Sequence, residues 1–145
     1  MARLAAEEFD KEKVADNAAT AYAVLAVAQL AQNKIADAQK SASRAISLAQ
    51  QTGYKPPRFD ATIANAKVEA ASGDAAGALK SLESVRAEAV KYGYVPYDFE
   101  ARLAMGEIEV KSGKTAAGKA RLTQLQKDSQ AKGYLLVAAK TGRVE

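Results

Sequence analysis

Apolar residues recur along this chain at the three- and four-residue spacing of helices, and short turn signals interrupt them at regular intervals. The segment AATAYAVLAVAQLA, within a helix expected from about Asp16 to Gln32, is apolar on nearly every side, as a helix between neighbours must be. Asp16 or Asn17 is its expected cap. Asn33-Lys34 breaks it, because Asn tolerates the left-handed backbone of a helix end. A second helix from Ile35 to about Gln51 places Ile35, Ala38, Ala42, Ala45, Ile46 and Ala49 on one face, with Lys34, Asp37, Lys40 and Arg44 mainly elsewhere. Gln51 to Pro57 reads as a linker in which Gly ends a helix and proline opens the next. Helices then follow from about Pro57 to Ser72, from Ala75 (capped by Asp74) to about Tyr92, from about Tyr97 to Ser112, and from Thr115 to about Lys132. The helix after Asp74 packs through Ala78, Leu79, Leu82, Val85 and Ala89. A short helix, Tyr134 to Lys140, closes the chain, and Leu4, Ala5 and Phe9 mark another near its start.

These segments are copies of one another. Displaced by forty residues, Gly53-Tyr54, Pro56, Phe59, Ala61, Ala64, Glu69, Ser72-Gly73, Ala76 and Leu82 fall on identical residues from Gly93-Tyr94 to Leu122. Such a period indicates stacked helix hairpins. The expected fold is all-α: an α-solenoid of antiparallel helix pairs, about seven helices plus a short C-terminal capping helix, in one repeat domain over residues 1–145. Its units are a half unit at 1–12, then 13–52, 53–92 and 93–132, and a partial unit or cap at 133–145. Residues 2–12 match the end of a second helix, so the sequence is expected to be a piece of something longer.

Three Phe, six Tyr and no Trp leave little bulk for a core, but 34 alanines allow helices to approach closely. The absence of Cys excludes disulfides, thiolate metal sites and cysteine nucleophiles; the absence of His removes the commonest general base and metal ligand. No apolar run reaches the roughly 18 residues of a membrane span. The start, MARLAAEEFDKEK, lacks the pattern of a signal peptide, so a cytoplasmic location is expected. The net charge of +4 divides as 0 for residues 1–52, +1 for 53–92 and +3 for 93–145. Cations interleaved with acids describe a solvated face better than a nucleic-acid site.

The repeat resembles the tetratricopeptide family, whose first helix carries a large residue, a Leu-Gly pair and an aromatic, and whose second helix carries a small contact. The large position holds Tyr22, Thr62 and Arg102; the pair reads Leu25-Ala26, Asn65-Ala66 and Met105-Gly106; the small contact is Ala38, Ala78 and Gly118. The aromatic position departs from the pattern, with Gln29, Glu69 and Glu109, and the period of forty exceeds the family's, about 34. The chain is also similar to the C-terminal repeat region of large bacterial signalling proteins. The tetratricopeptide resemblance implies a concave groove, lined by first helices, that takes a protein or peptide partner. Its residues here are Thr20, Ala23, Val24 and Val27; Asp60, Ile63, Ala64 and Lys67; and Glu100, Leu103, Ala104 and Glu107. Contact between neighbouring units is an equal alternative for each of them. Ala23, Val24 and Val27 stand where members that grip a terminal carboxylate have Lys and Asn, so that activity is not expected.

Other candidates have plainer readings. Ser112-Gly113-Lys114-Thr115 matches the end of a phosphate-binding loop, but the required first Gly is Ile108 and the stretch follows a helix, so a turn is expected. Glu100, Glu107 and Glu109 read as solvated surface and not as an acid-base pair, with Glu109 turned away from the other two. Tyr54, Tyr94 and Tyr134 beside linker glycines could stack bases, but they suit helix-end contacts better. Asn65 needs a hydrogen-bond partner if buried. The chain is therefore expected to be a protein-interaction scaffold and not an enzyme, with no catalytic residues, cofactor or metal. Self-association is the alternative, nucleic-acid binding is less favoured, and no membrane partner is expected.

Overall fold

The structure, a computed structural model, describes residues 2–5 and 14–143. Seven helices follow one another: α1 (Ala15–Ala31), α2 (Ile35–Ala49), α3 (Lys55–Ala71), α4 (Ala75–Tyr92), α5 (Val95–Lys111), α6 (Thr115–Ala131) and α7 (Leu135–Thr141). Residues 2–5 are also helical, whereas Phe9 lies outside the described residues. The fold is all-α, with no strand among the described residues. By contact the chain forms two compact units, residues 1–78 and 79–145.

In the first unit α1, α2 and α3 all pack against one another. Their shared core contains ten alanines, with only Leu48 and Val68 larger. Tyr22, Val27, Leu30 and Ile46 close over this cluster. Because a methyl group fills so little space, such a core is dense only if the helix axes lie close together. In the second unit α6 packs on α5 and α7, and α7 also touches α5. Phe99, Leu82 and Leu125 are its large, fully buried side chains. Gly106 of α5 and Gly118 of α6 bring their two helices close together. A Cβ on Gly118 would lie 2.7 Å from the Gly106 carbonyl oxygen and 2.8 Å from the Val110 nitrogen.

Turns of the same construction form five of the six connections between these helices. Asn33, Gly73, Gly93, Gly113 and Gly133 all have positive φ, between 59° and 104°. At each, the residue's own amide donates to the carbonyl three residues back and the next amide to the carbonyl five back. For Gly133 these are Gly133 N to Gln130 O (3.1 Å) and Tyr134 N to Ser129 O (2.7 Å). This left-handed closure satisfies carbonyls that a helix end leaves open. Asp74 then starts α4 as expected, its Oδ1 accepting from the Gly77 amide at 2.8 Å.

Several expected details shift. α1 is preceded by Val14 with no side-chain cap; Asp16 lies inside the first turn, where a negative charge still suits the helix dipole. α3 and α5 begin at Lys55 and Val95, two residues before the expected starts, because proline fits in a first turn whose amides have no helical partner. Gly53 does not close its helix in the left-handed form. α2 has already stopped at Ala49, and the Tyr54 amide donates to Thr52 Oγ1 instead (3.0 Å). Tyr54 and Tyr134 also differ in their surroundings. Tyr134 packs edge-to-face on Phe99, with ring centroids 5.2 Å apart, but the residue in the place of Phe99 for Tyr54 is Ala19, which has no ring. Tyr54 is exposed.

Replacing Gly118 by Ala tests the close crossing. A mid-helix Gly→Ala change ordinarily gains up to about 1 kcal/mol of helix propensity. Here the added methyl meets backbone atoms, and Gly118→Ala is expected to lower the unfolding free energy by ~1–3 kcal/mol in urea titrations.

Candidate functional site

The twelve positions of the expected partner-binding row divide by exposure. Ala23, Ile63, Ala64 and Ala104 are buried and belong to the packing between helices. In the first unit this leaves Thr20, Val24 and Val27 on α1 with Asp60 and Lys67 on α3. Thr20 Oγ1 donates to Asp60 Oδ2 at 2.8 Å, joining two residues that occupy the same place in successive repeats. Val24 is 56% exposed, Val27 packs partly on the core, and Lys67 is half-buried. In the second unit Glu100 is exposed, while Leu103 and Glu107 are half-buried. Each unit therefore presents a shallow apolar strip with charges beside it.

Two polar constructions in this structure are absent from the expected site. The first lies at the repeat position held by Gln29, Glu69 and Glu109. Glu109 is only 7% exposed, and Arg121 of α6 grips it with two hydrogen bonds of 2.9 Å from Nε and Nη2. The expectation of a solvated Glu109 is thus corrected: its place on α5 turns it toward α6, where only a paired carboxylate can be buried. That bond to Glu109 raises the Arg121 pKa above its ordinary value despite partial desolvation. In the first unit the same two repeat positions hold a neutral pair, with Ser41 Oγ donating to Gln29 Oε1 at 2.7 Å. Asn65, flagged for its polarity, is half-buried and donates to Glu69 Oε1 at 2.8 Å.

The second construction is a charge chain linking α4, α5 and α6. Arg102, in the large position, donates to Asp128 Oδ2 at 2.6 Å and lies 3.7 Å from Asp98 one turn earlier. Asp98 in turn faces Arg86 Nε at 3.4 Å, an ion pair without hydrogen-bond alignment. Gln124 Nε2 completes the Asp128 environment at 2.8 Å. The Arg102 bond, followed by that from Gln124, holds the Asp128 carboxyl below its usual pKa. The i,i+4 spacing of Asp98 and Arg102 was the one signal of this chain in the sequence.

Catalytic readings find little geometry. The Gly113 and Lys114 amides donate to the Val110 and Glu109 carbonyls, so this turn closes α5 and does not present those amides to a phosphate. Among the described residues, no group of three or more His, Cys, Asp or Glu could hold a metal ion. No helix among the described residues is long and apolar enough to cross a membrane. Comparison with known proteins returns no match. Neither a family model, nor a curated protein, nor a solved structure is similar enough to this chain to report.

Arg121→Ala leaves Glu109 buried without its cation and is expected to destabilise the fold by roughly 1–3 kcal/mol. The double change Glu109→Gln with Arg121→Ser copies the first unit's neutral pair and should recover most of that loss in thermal unfolding. A depressed folded-state pKa stabilises the fold above the unfolded carboxylate's range, near 3.9, and that contribution disappears as pH falls through the folded value. Acid unfolding below about pH 4 should therefore be shallower in Asp128→Asn than in the parent, measured by circular dichroism.

Proposed function

We propose that this chain is a protein-interaction module that binds a protein or peptide segment along the exposed row of its first helices. What supports this reading is the repetition of a mixed surface at equivalent places. Thr20, Val27, Asp60 and Lys67 in the first unit, and Glu100, Leu103 and Glu107 in the second, combine accessible apolar groups with charges that can fix a partner's register. The sequence resemblance to tetratricopeptide repeats agrees with this use of the first helix. The separate similarity to the C-terminal repeat region of large bacterial signalling proteins favours a place within such a protein, and the acidic start of the sequence favours the cytoplasm.

The test is binding of peptides selected from a displayed library. Lys67→Glu and Glu107→Lys reverse charges beside the apolar strips without touching the core. Each should weaken a selected peptide by about fivefold, roughly 1 kcal/mol, in calorimetric titration with the melting temperature unchanged. Unaltered affinity in both variants would remove the first-helix row from the interaction.

A further inference from the structure

Charge in the second unit is sorted by helix. Residues 93–110, which hold nearly all of α5, carry four acids against one base, a net −3. Residues 111–132, which hold α6 and its flanking turns, carry six bases against one acid, a net +5. The windows at the same repeat places are closer to neutral: 31–52 around α2 has three bases against one acid, and 71–92 around α4 has three against three. The basic excess therefore belongs to one helix and not to the repeat.

Hydrogen bonds then sort it further. Asp128, the one acid of the basic stretch, accepts from Arg102 and Gln124, and Arg121 is held by Glu109. This leaves Lys111, Lys114, Lys119, Lys127 and Lys132, all exposed, the last four spread along about 27 Å of helix. Lys132 Nζ also lies 5.8 Å from the centre of the Phe99 ring. Exposure is a property of these places in the repeat. The equivalent Ala31, Lys34, Gln39 and Ser47 are exposed although α1 and α3 both pack on α2.

We infer that this lysine face of α6 binds the phosphate backbone of double-stranded nucleic acid, without reading its sequence. Between the lysines stand Ala116, Ala120, Thr123, Gln124 and Gln130, and no exposed side chain of α6 is both apolar and larger than alanine. A protein interface draws on an apolar and aromatic centre, a membrane-surface helix on inserted apolar groups, and a single-strand site on aromatic stacking. The face has none of these. Phosphates on a duplex ask only for cations and for neutral donors such as Thr and Gln. The acids that interleave with these cations in the sequence are withdrawn from them, Glu109 by Arg121 and Asp128 by Arg102. The inference goes beyond the peptide-binding row and uses none of its residues.

The experiment is fluorescence anisotropy of the full chain with labelled DNA duplexes of two unrelated sequences, each of about 20 base pairs, from about 0.02 to 0.2 M salt. Both duplexes should bind alike, and the logarithm of the association constant should fall linearly with that of salt at a slope of about −3 to −4.5, as several lysine contacts give. Lys119→Gln with Lys127→Gln should weaken binding at least about tenfold near 0.1 M salt and make the slope shallower by about 2. Lys34→Gln with Lys40→Gln removes the same charge from around α2 and should keep the parent's slope. All four positions are exposed, and circular dichroism checks that the variants keep their helices. Absence of duplex binding at the lowest salt overturns the inference. Equal losses in the two double variants overturn it as well, since attraction would then follow net charge alone. Tighter binding to single-stranded DNA, to polyglutamate or to anionic phospholipid vesicles than to the duplex would assign the face to another anion and overturn it too.

Discussion

The left-handed residue that ends five of the described helices is the constraint on which the rest of this fold depends. At Asn33, Gly73, Gly93, Gly113 and Gly133 the chain leaves a helix, returns two amides to its final carbonyls and starts the next helix within about three residues. Within each unit so short a reversal lays successive helices side by side, α1 with α2 and α5 with α6. Side chains at the crossings must then be small, and the sequence supplies alanine there, or glycine at Gly106 and Gly118 where backbones nearly touch. The economy of this packing explains how a chain with so few aromatic residues forms a core.

Thin hydrophobic packing also gives polar residues unusual structural work. At one repeat position between paired helices this chain uses a bonded pair: Gln29 with Ser41 in one unit and Glu109 with Arg121 in the other. Arg102 does similar work, its guanidinium bonding Asp128 while lying 5.8 Å from the Phe99 ring. To the nondirectional packing these pairs add bonds that work only in register.

Most of the fold was legible from residue order, because a forty-residue period and glycine-marked turns report the hairpins independently of how each helix packs. Helix starts were less legible. Pro57 and Tyr97 looked like first residues, but the helices start at Lys55 and Val95, with Pro56 and Pro96 at home one residue inside. The exception at Gly53 was not legible either, because Gly53-Tyr54 and Gly93-Tyr94 read alike in the sequence while only Gly93 has positive φ. The candidate row was only partly legible. Ala23, Ile63, Ala64 and Ala104 adjoin the surface row on the helix wheel, and periodicity alone does not separate a seam between helices from the surface beside it. Glu109 was misread because charge suggests solvent until its partner, twelve residues away on another helix, is seen.

Equivalent positions either do the same work in each unit, as the turns do, or remain exposed in one copy and buried in another, as Val24 and Ala64 do. Amide hydrogen exchange at the residues after each turn tests the constraint beneath this account. The amides of Lys34, Asp74, Tyr94, Lys114 and Tyr134, each bonded to a carbonyl five residues back, should exchange slowly, and that of Tyr54, bonded only to a nearby hydroxyl, should exchange rapidly. Equal protection at all six, or rapid exchange at the five, would contradict the left-handed closures as the structure's organising constraint.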